Sequence, residues 1–449
     1  MAPTVRSFSA DLEPLTLIEN HPAAYPGLLE SGAGLGAPGG NRFDILPMAN
    51  GERLRLGADG SMSGPHAGAK GFLAALQDWW TALRVPAANS PLPFSGGWLL
   101  YLGYELAAEI EPGLKLPCGA DPVIGLAIRA PAAWIRDRAT ARAWLVAEAG
   151  FESLLDDFET RARGVRRAAG ADAAFTMQED APEAFLRSVR GALEHIAAGD
   201  VYQANLSRAW VGRAASAVDP VRIYQRLRAA NPSPFAALLL DGDFACLSSS
   251  PERLVSVRGD MVCTRPIAGT RPRGATPEAD AALIRSLLNN EKERAEHVML
   301  IDLERNDLGR VCSGGSVRVD EYMSVETYAH VHHIVSNVSG RLRAGTTPID
   351  VIRALFPGGT ITGCPKVRCM QIIAELEGAG RGAYTGSIGY LNRDGSCDLN
   401  ILIRTITAHG NRLTFRAGAG IVADSDPAQE LAETRAKAEG LLRALAAGP

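Results

Sequence analysis

Apolar runs of strand length and longer blocks of helical period succeed one another irregularly along the chain. A Gly-rich connector at 31–41 (SGAGLGAPGGN) runs into NRFDIL, which predicts a strand. Residues 69–85 predict a helix, and 96–104 (GGWLLYLGY) a buried strand whose glycines mark close backbone approach. A stretch rich in Ala, Arg and Gly at 161–181 separates two styles of sequence, an amino-terminal region at 1–165 and a second region at 182–446. The second region opens on Asp180-Ala-Pro-Glu183, read as an N-cap, a proline and an acidic first turn for a helix to about 197. Strands are expected at 201–212, 235–249, 253–267, 316–342, 384–393, 398–408 and 412–422. Helices are expected at 220–230, 277–302, 348–354, 365–376 and 427–446. Helices isolated between pairs or triplets of strands predict an α+β fold rather than a βαβ repeat.

Composition narrows the class. Of 449 residues 46% are hydrophobic and 21% charged, with 47 Gly and 27 Pro, enough for a sizeable core with many loops. A net charge of −4 provides no basic field for nucleic acid or an anionic membrane, although local Arg and Lys can still bind a small anion. The start, MAPTVRSFSADLEPL, lacks the basic-then-apolar layout of a signal peptide, and no apolar run approaches the roughly 18 residues of a membrane helix. Seven scattered cysteines without a CxxC predict reduced thiols and a cytoplasmic location.

Three constellations carry chemical potential. In EKERAEHVMLIDL, Glu293 and Glu296 lie three apart on one helix flank. In the last helix Glu430, Glu433 and Lys437 share one stripe. Two helices that each offer a carboxylate pair can hold one hard cation, but the same spacing describes a solvated Glu–Lys face. For anion recognition, Thr264-Arg-Pro-Ile-Ala-Gly-Thr270 places small residues and a hydroxyl where backbone can approach a ligand. Arg404 lies in a strand-like run, DLNILIRTI, and Gly418-Ala419-Gly420 offers bare N–H groups. Each glycine pair is equally a tight turn. GGTITGCPK (358–366) fits neither a Walker nor a dinucleotide pattern. For acid–base work, Glu252 in SSSPERL becomes a general acid if buried. His330 and His332 share a strand face with His333 opposite, and no further zinc ligand accompanies them.

Taken together, these segments resemble the chorismate-binding family of anthranilate, aminodeoxychorismate, isochorismate and salicylate synthases. The resemblance covers about 185–446, through GDVYQANLSR (199–208), SSPERL (249–254), RPIAGTRPRG (265–274), ERAEHVMLIDLERNDLGRV (293–311), VHHIVS (331–336), FPGGTITGCPKVRCMQII (356–373), YTGSIGY (384–390), RAGAGIVADSDP (416–427) and ELAETRAKA (430–438). It implies two facing β-sheets flanked by helices, with the site at the sheet–helix junction and the amino-terminal half intertwined with the rest. It also implies chorismate as substrate and Mg²⁺ as cofactor, held by Glu296 and Glu433 with Glu293 and Glu430 in support. Gly269, Thr270, Thr362, Tyr384, Arg404, Gly418, Ala419, Gly420 and Lys437 match positions that hold the substrate. Glu252 matches the acid that protonates the departing 4-hydroxyl, and His333 lines the same pocket. Gln203 stands where the water-adding members carry a lysine base. An amide cannot deprotonate water, so the resemblance implies amination.

Within the amino-adding pair, Ile361-Thr362-Gly363 before Cys-Pro-Lys, YTGSIGYLNRDGSCDLNILIRT and the compact length resemble aminodeoxychorismate synthase. Ala268, where many such enzymes carry a nucleophilic lysine, resembles anthranilate synthase instead. The expectation is Mg²⁺-dependent formation of 4-amino-4-deoxychorismate, a step toward p-aminobenzoate and folate. Anthranilate formation and an inactive tryptophan-binding regulatory subunit are the alternatives. With no nucleophilic Cys in a Gly-rich elbow, ammonia is expected from a separate glutamine amidotransferase subunit. Ser31, Asn41, Arg42, Phe43, Pro234 and Phe235 resemble contacts of a tryptophan pocket, or are simply packing residues.

Overall fold

Two antiparallel sheets packed against each other, with helices on their outer faces, organise the computed structural model, which describes residues 3–32, 42–87, 90–164, 175–214, 218–328 and 331–446. This is the α+β architecture the sequence predicts. The first sheet runs Thr4–Phe8, Arg142–Ala147, Ala132–Asp137, Phe43–Met48, Gly27–Glu30, Phe235–Asp241, Phe244–Ser250, Thr405–His409, Arg412–Ile421, Gln203–Arg213 and Met177–Glu179. The second runs Ile267–Pro272, Val331–Arg341, Met261–Thr264, Arg253–Arg258, Cys397–Asn400, Ser387–Asn392, Gly97–Leu102, Val123–Ala130, Arg53–Gly57 and Met62–Ser63. Early and late strands pair directly in both sheets: Gly27–Glu30 with Phe235–Asp241, and Gly97–Leu102 with Ser387–Asn392.

Strand alternation fills three apolar layers. In Gly97–Leu102, Leu99 and Tyr101 face the layer between the sheets, with Ile45 and Leu239 from the opposite sheet. Trp98, Leu100 and Leu102 face outward and are covered by the helices Phe72–Leu83 and Pro348–Leu355. On the other side, Leu28, Trp134, Leu247 and Phe415 are covered by Pro220–Ala230 and the last helix, Pro427–Leu445. Strands buried on both faces lose the in–out alternation of a half-exposed sheet, so several in the first 160 residues carry only a weak sequence pattern.

Some boundaries differ from expectation, each for a local reason. The expected helix 277–302 is two helices, Pro277–Leu288 and Glu291–Gly309. Asn290 breaks them by capping the second: its side chain accepts from the Glu293 N–H at 3.1 Å. The expected strand 235–249 is a hairpin that turns at Gly242, φ 63°. Asp180 is not a helix cap, because its carboxylate accepts from the Ala209 N–H at 2.8 Å and ties the helix start to the sheet. The expected strand 398–408 breaks between Asn400 and Thr405. No helix among the described residues is long and apolar enough to cross a membrane.

Candidate active site

Two of the points where the chain passes from one sheet to the other lie side by side, and each presents a charged side chain. Ser250 ends a strand of the first sheet and Arg253 begins one of the second, leaving Glu252 at the crossing. Asn400 and Thr405 bound the reverse crossing, which carries Arg404. The two crossings hold each other. The Ile401 N–H donates to the Glu252 carbonyl at 3.0 Å, and the Ser249 N–H to the Arg404 carbonyl at 3.1 Å. Ser250 Oγ donates to the Ile401 carbonyl at 2.5 Å. Arg404 sits at φ 52°, a left-handed conformation that costs a residue other than glycine about 1–3 kcal/mol and persists only where its surroundings fix it. Its guanidinium has no carboxylate within salt-bridge distance among the described residues.

Glu252 is 6% exposed, and burial pushes its carboxyl up to about 7. Opposing that rise are a hydrogen bond from Thr360 Oγ1 at 2.7 Å, the Ile267 N–H, and the charges of Lys437 and Arg404. The carboxyl therefore titrates near neutrality, as a general acid requires. His333, on the strand Val331–Arg341, pairs in register with Thr270 and places Nδ1 3.0 Å from the Thr270 hydroxyl. Burial and the Arg404 charge lower it to about 4, so the ring is neutral at pH 7. Its Nε2 is buried without a partner. Thr360 and Glu304 carry no signature of their own in the sequence. Glu304 is buried on the helix Glu291–Gly309 and is pushed up to about 8, first by burial and next by Asp307, with Glu252 a further contributor. Two carboxyls that hold protons near neutrality thus lie within electrostatic reach of each other.

Glycines leave the space around these groups open. Gly269 forms a bulge at φ 66°, and a Cβ there would lie 2.8 Å from Glu293 Oε2. A Cβ at Gly418 would lie 2.5 Å from the Tyr384 hydroxyl and 2.6 Å from the Leu206 carbonyl. At Gly420 it would meet the Gln203 amide at 2.6 Å. Lys437 Nζ donates to the Gly418 carbonyl at 3.0 Å. Ala419, between the two glycines, turns its methyl the other way, into a cluster with Leu206, Ile372 and Leu431. The Thr362 hydroxyl is fully buried and donates to the Gly358 carbonyl at 2.9 Å, so it fixes its own turn.

The four predicted metal carboxylates share one electrostatic neighbourhood. Glu296 is raised first by burial and then, against Lys292, by Glu293, Glu433 and Glu430. Among the described residues no three acidic, His or Cys side chains form a ready-made cage. Cations pair with three of the four instead: Arg271 with Glu293 and Lys437 with Glu433, both at 2.6 Å, and Lys292 with Glu296 at 4.0 Å. Even so, Glu293 Oε2 is buried with no partner and the clustered charges repel. An all-oxygen acidic set with an orphaned oxygen fits a hard divalent cation.

The residues singled out for a tryptophan pocket scatter in role. Phe235 lines a cavity with Leu29, Glu30, Tyr390, Asp398 and Asn400. Ser31 is buried beside Glu30 and its N–H donates to Asp44 at 3.0 Å. Pro234 is buried next to Phe235. Phe43 belongs to the core between the sheets, and Arg42 stacks on it while pairing with Asp137. Asn41 and His330 lie outside the described residues.

A family model described as chorismate binding enzyme matches residues 52–443. The chain is 43% identical over 391 residues to aminodeoxychorismate synthase component 1 of Bacillus subtilis, covering 83% of this chain and 82% of that one. It is also 43% identical over 398 residues to anthranilate synthase component 1 of Streptomyces coelicolor, covering 81% and 77%. The crystal structure of anthranilate synthase component I from Streptococcus pneumoniae superimposes with a TM-score of 0.79 at 32% identity, covering 91% of this chain and 93% of that one.

Proposed function

Because this chain belongs to the chorismate binding enzyme family and uses chorismate, we propose that it aminates that substrate at C4, giving 4-amino-4-deoxychorismate. A separate glutamine amidotransferase subunit supplies the ammonia. The observation that carries this reading is a buried carboxyl poised near pH 7 at Glu252, beside the positive charges of Arg404 and Lys437. Arg404 and Lys437 bind the two carboxylates of chorismate, and the bare backbone at Gly418 and Gly420 lets the ligand approach. Glu252 gives its proton to the departing 4-hydroxyl, which leaves as water while ammonia forms the C4–N bond. The proton then shed by the new ammonium returns to the Glu252 carboxylate. His333, neutral and with Nε2 uncommitted, faces the substrate from the Thr270 side. Glu293, Glu296, Glu430 and Glu433 would hold Mg²⁺, which when bound supplies a hard positive charge against the ring carboxylate.

Gln203 supports amination over hydroxylation, because its buried amide beside Gly420 has no basic nitrogen. The Ile361-Thr362-Gly363 segment supports the C4 product. Ala268 favours the second reading, anthranilate formation with loss of pyruvate. It lies opposite Ile334 in the sheet and cannot act as an amine nucleophile. The chain is 43% identical to relatives of both kinds, so the two readings differ in the product each predicts. Purified protein with chorismate, Mg²⁺ and ammonium at raised pH should give p-aminobenzoate only after a lyase is added. Blue-fluorescent anthranilate and pyruvate without the lyase would overturn the first reading. No turnover, even with an amidotransferase, would point to an inactive regulatory subunit.

We propose that the small cavity beside Phe235 widens to take an amino acid with an aromatic side chain, and we assign it to tryptophan. Phe235 and Tyr390 offer ring faces, and Glu30 offers a buried carboxylate shared with Tyr224 and Arg228. Calorimetric titration with tryptophan should show saturable heat; a flat titration removes the assignment.

A further inference from the structure

We infer that Arg381 is a positioning residue that sets Tyr384 against the substrate cradle; the inference rests on the proposal that chorismate approaches the bare backbone at Gly418, which the Tyr384 hydroxyl adjoins. Arg381 is 4% exposed and spans three segments of the site with one guanidinium. It grips Glu377 through Nη2 at 2.6 Å and Nε at 3.2 Å. Nη2 also donates to the Asn205 carbonyl at 2.5 Å, on the strand that carries Gln203. Nη1 donates to the Ile361 carbonyl at 3.2 Å, in the turn between Thr360 and Thr362. The guanidinium carbon also lies 5.1 Å from the Tyr104 ring centre and 5.5 Å from that of Tyr384. Glu377 in turn accepts from the Ser207 N–H and from Arg416, both at 2.8 Å, and Ser207 is the cross-strand partner of Gly418.

One planar cation therefore fixes the distance between the Tyr384 ring and the strand pair that includes Gly418. A lysine would keep the charge opposite Glu377 but not the fork of donors or the flat face against the ring. A buried ion pair can also be purely structural, and then its loss would be felt whether or not Tyr384 is present. That difference makes the inference testable.

Arg381→Lys should raise the KM for chorismate about 10-fold with kcat within about 3-fold, the signature of lost uniform binding. Tyr384→Ala should do the same, and adding Arg381→Lys to it should cost less than about 2-fold more. Multiplicative effects in the double variant would overturn the inference. A second measurement needs no substrate. With ring-¹³C tyrosine, the Tyr384 resonance, identified by its loss in Tyr384→Phe, should shift in ligand-free Arg381→Lys. An unchanged resonance would overturn the inference, whatever the protein does to chorismate. Glu377→Gln, which loosens Arg381 without removing it, should shift the same resonance and serves where Arg381→Lys does not fold. A wild type inert toward chorismate would sink the chorismate reading, while the resonance would still decide the role of Arg381.

Discussion

Glu252→Gln is expected to lower turnover by about 10²–10⁴-fold, the range for loss of a positioned general acid, with KM changed far less. The amide keeps the shape and can still accept from Thr360, but it has no proton to give to the leaving hydroxyl. Wild-type activity, measured at fixed free ammonia, should fall as pH rises through about 7, because the buried carboxyl loses its proton there. The variant's residual rate should lack that limb. The stability that this group contributes should follow pH in the same direction. Burial raises the native carboxyl from 4.5 to about 7, so the folded state binds this proton more tightly than the unfolded chain does. The stabilisation it contributes is fully present below about pH 4.5 and is lost as pH rises through about 7. At pH 8 the wild type holds a buried charge that the variant lacks, worth about 3 kcal/mol at most. Calorimetry at pH 8 should therefore find Glu252→Gln the more stable protein. Equal turnover of the two proteins would remove Glu252 from the chemistry.

Glu296→Gln tests the acidic cluster. Burial and three neighbouring carboxylates raise Glu296, so metal-free protein is strained by like charge there. Replacing one carboxylate relieves that repulsion, and metal-free Glu296→Gln should unfold at a temperature no lower than wild type at pH 8. With Mg²⁺ the order should reverse. Wild type should gain thermal stability with Mg²⁺, as any ligand that binds only the native state requires, while the variant gains little. The Mg²⁺ concentration for half-maximal turnover should rise by about 10–100-fold or more, since disturbing even outer-shell partners costs that much. An unchanged Mg²⁺ titration would place the metal elsewhere.

Much of the candidate site was legible in the sequence because its residues sit in short dense motifs of chemically distinctive type. The pairing of Glu430 and Glu433 with Lys437 follows from helical spacing, and Glu433 and Lys437 do meet at 2.6 Å. The α+β class followed from the spacing of strands and helices. Less was legible where one residue acts through another. Arg404 reads as part of a strand, yet it occupies a left-handed crossing whose conformation is imposed by Ser249, 155 residues earlier. Ala419 reads as part of a substrate cradle, but sheet register turns its methyl into the core. Thr360 and Glu304 could not be singled out, because a threonine in a turn and a glutamate on a helix are ordinary until something buries them. Glu377 and Arg381 look like a solvated i, i+4 pair and prove to be a buried ion pair tied to the strand that carries Ser207 and Asn205.

The order and identity of the reactive groups, the helices that carry the carboxylates and the glycines that keep space open belong to the sequence, since each depends on residues within a turn or two of one another. The protonation of Glu252, the neutrality of His333, the free charge of Arg404 and the shared repulsion around Glu296 were decided only by the tertiary structure. Desolvation and electric field at a point are set by every group packed around it. Here those groups come from two sheets and several helices that the chain brings together across hundreds of residues.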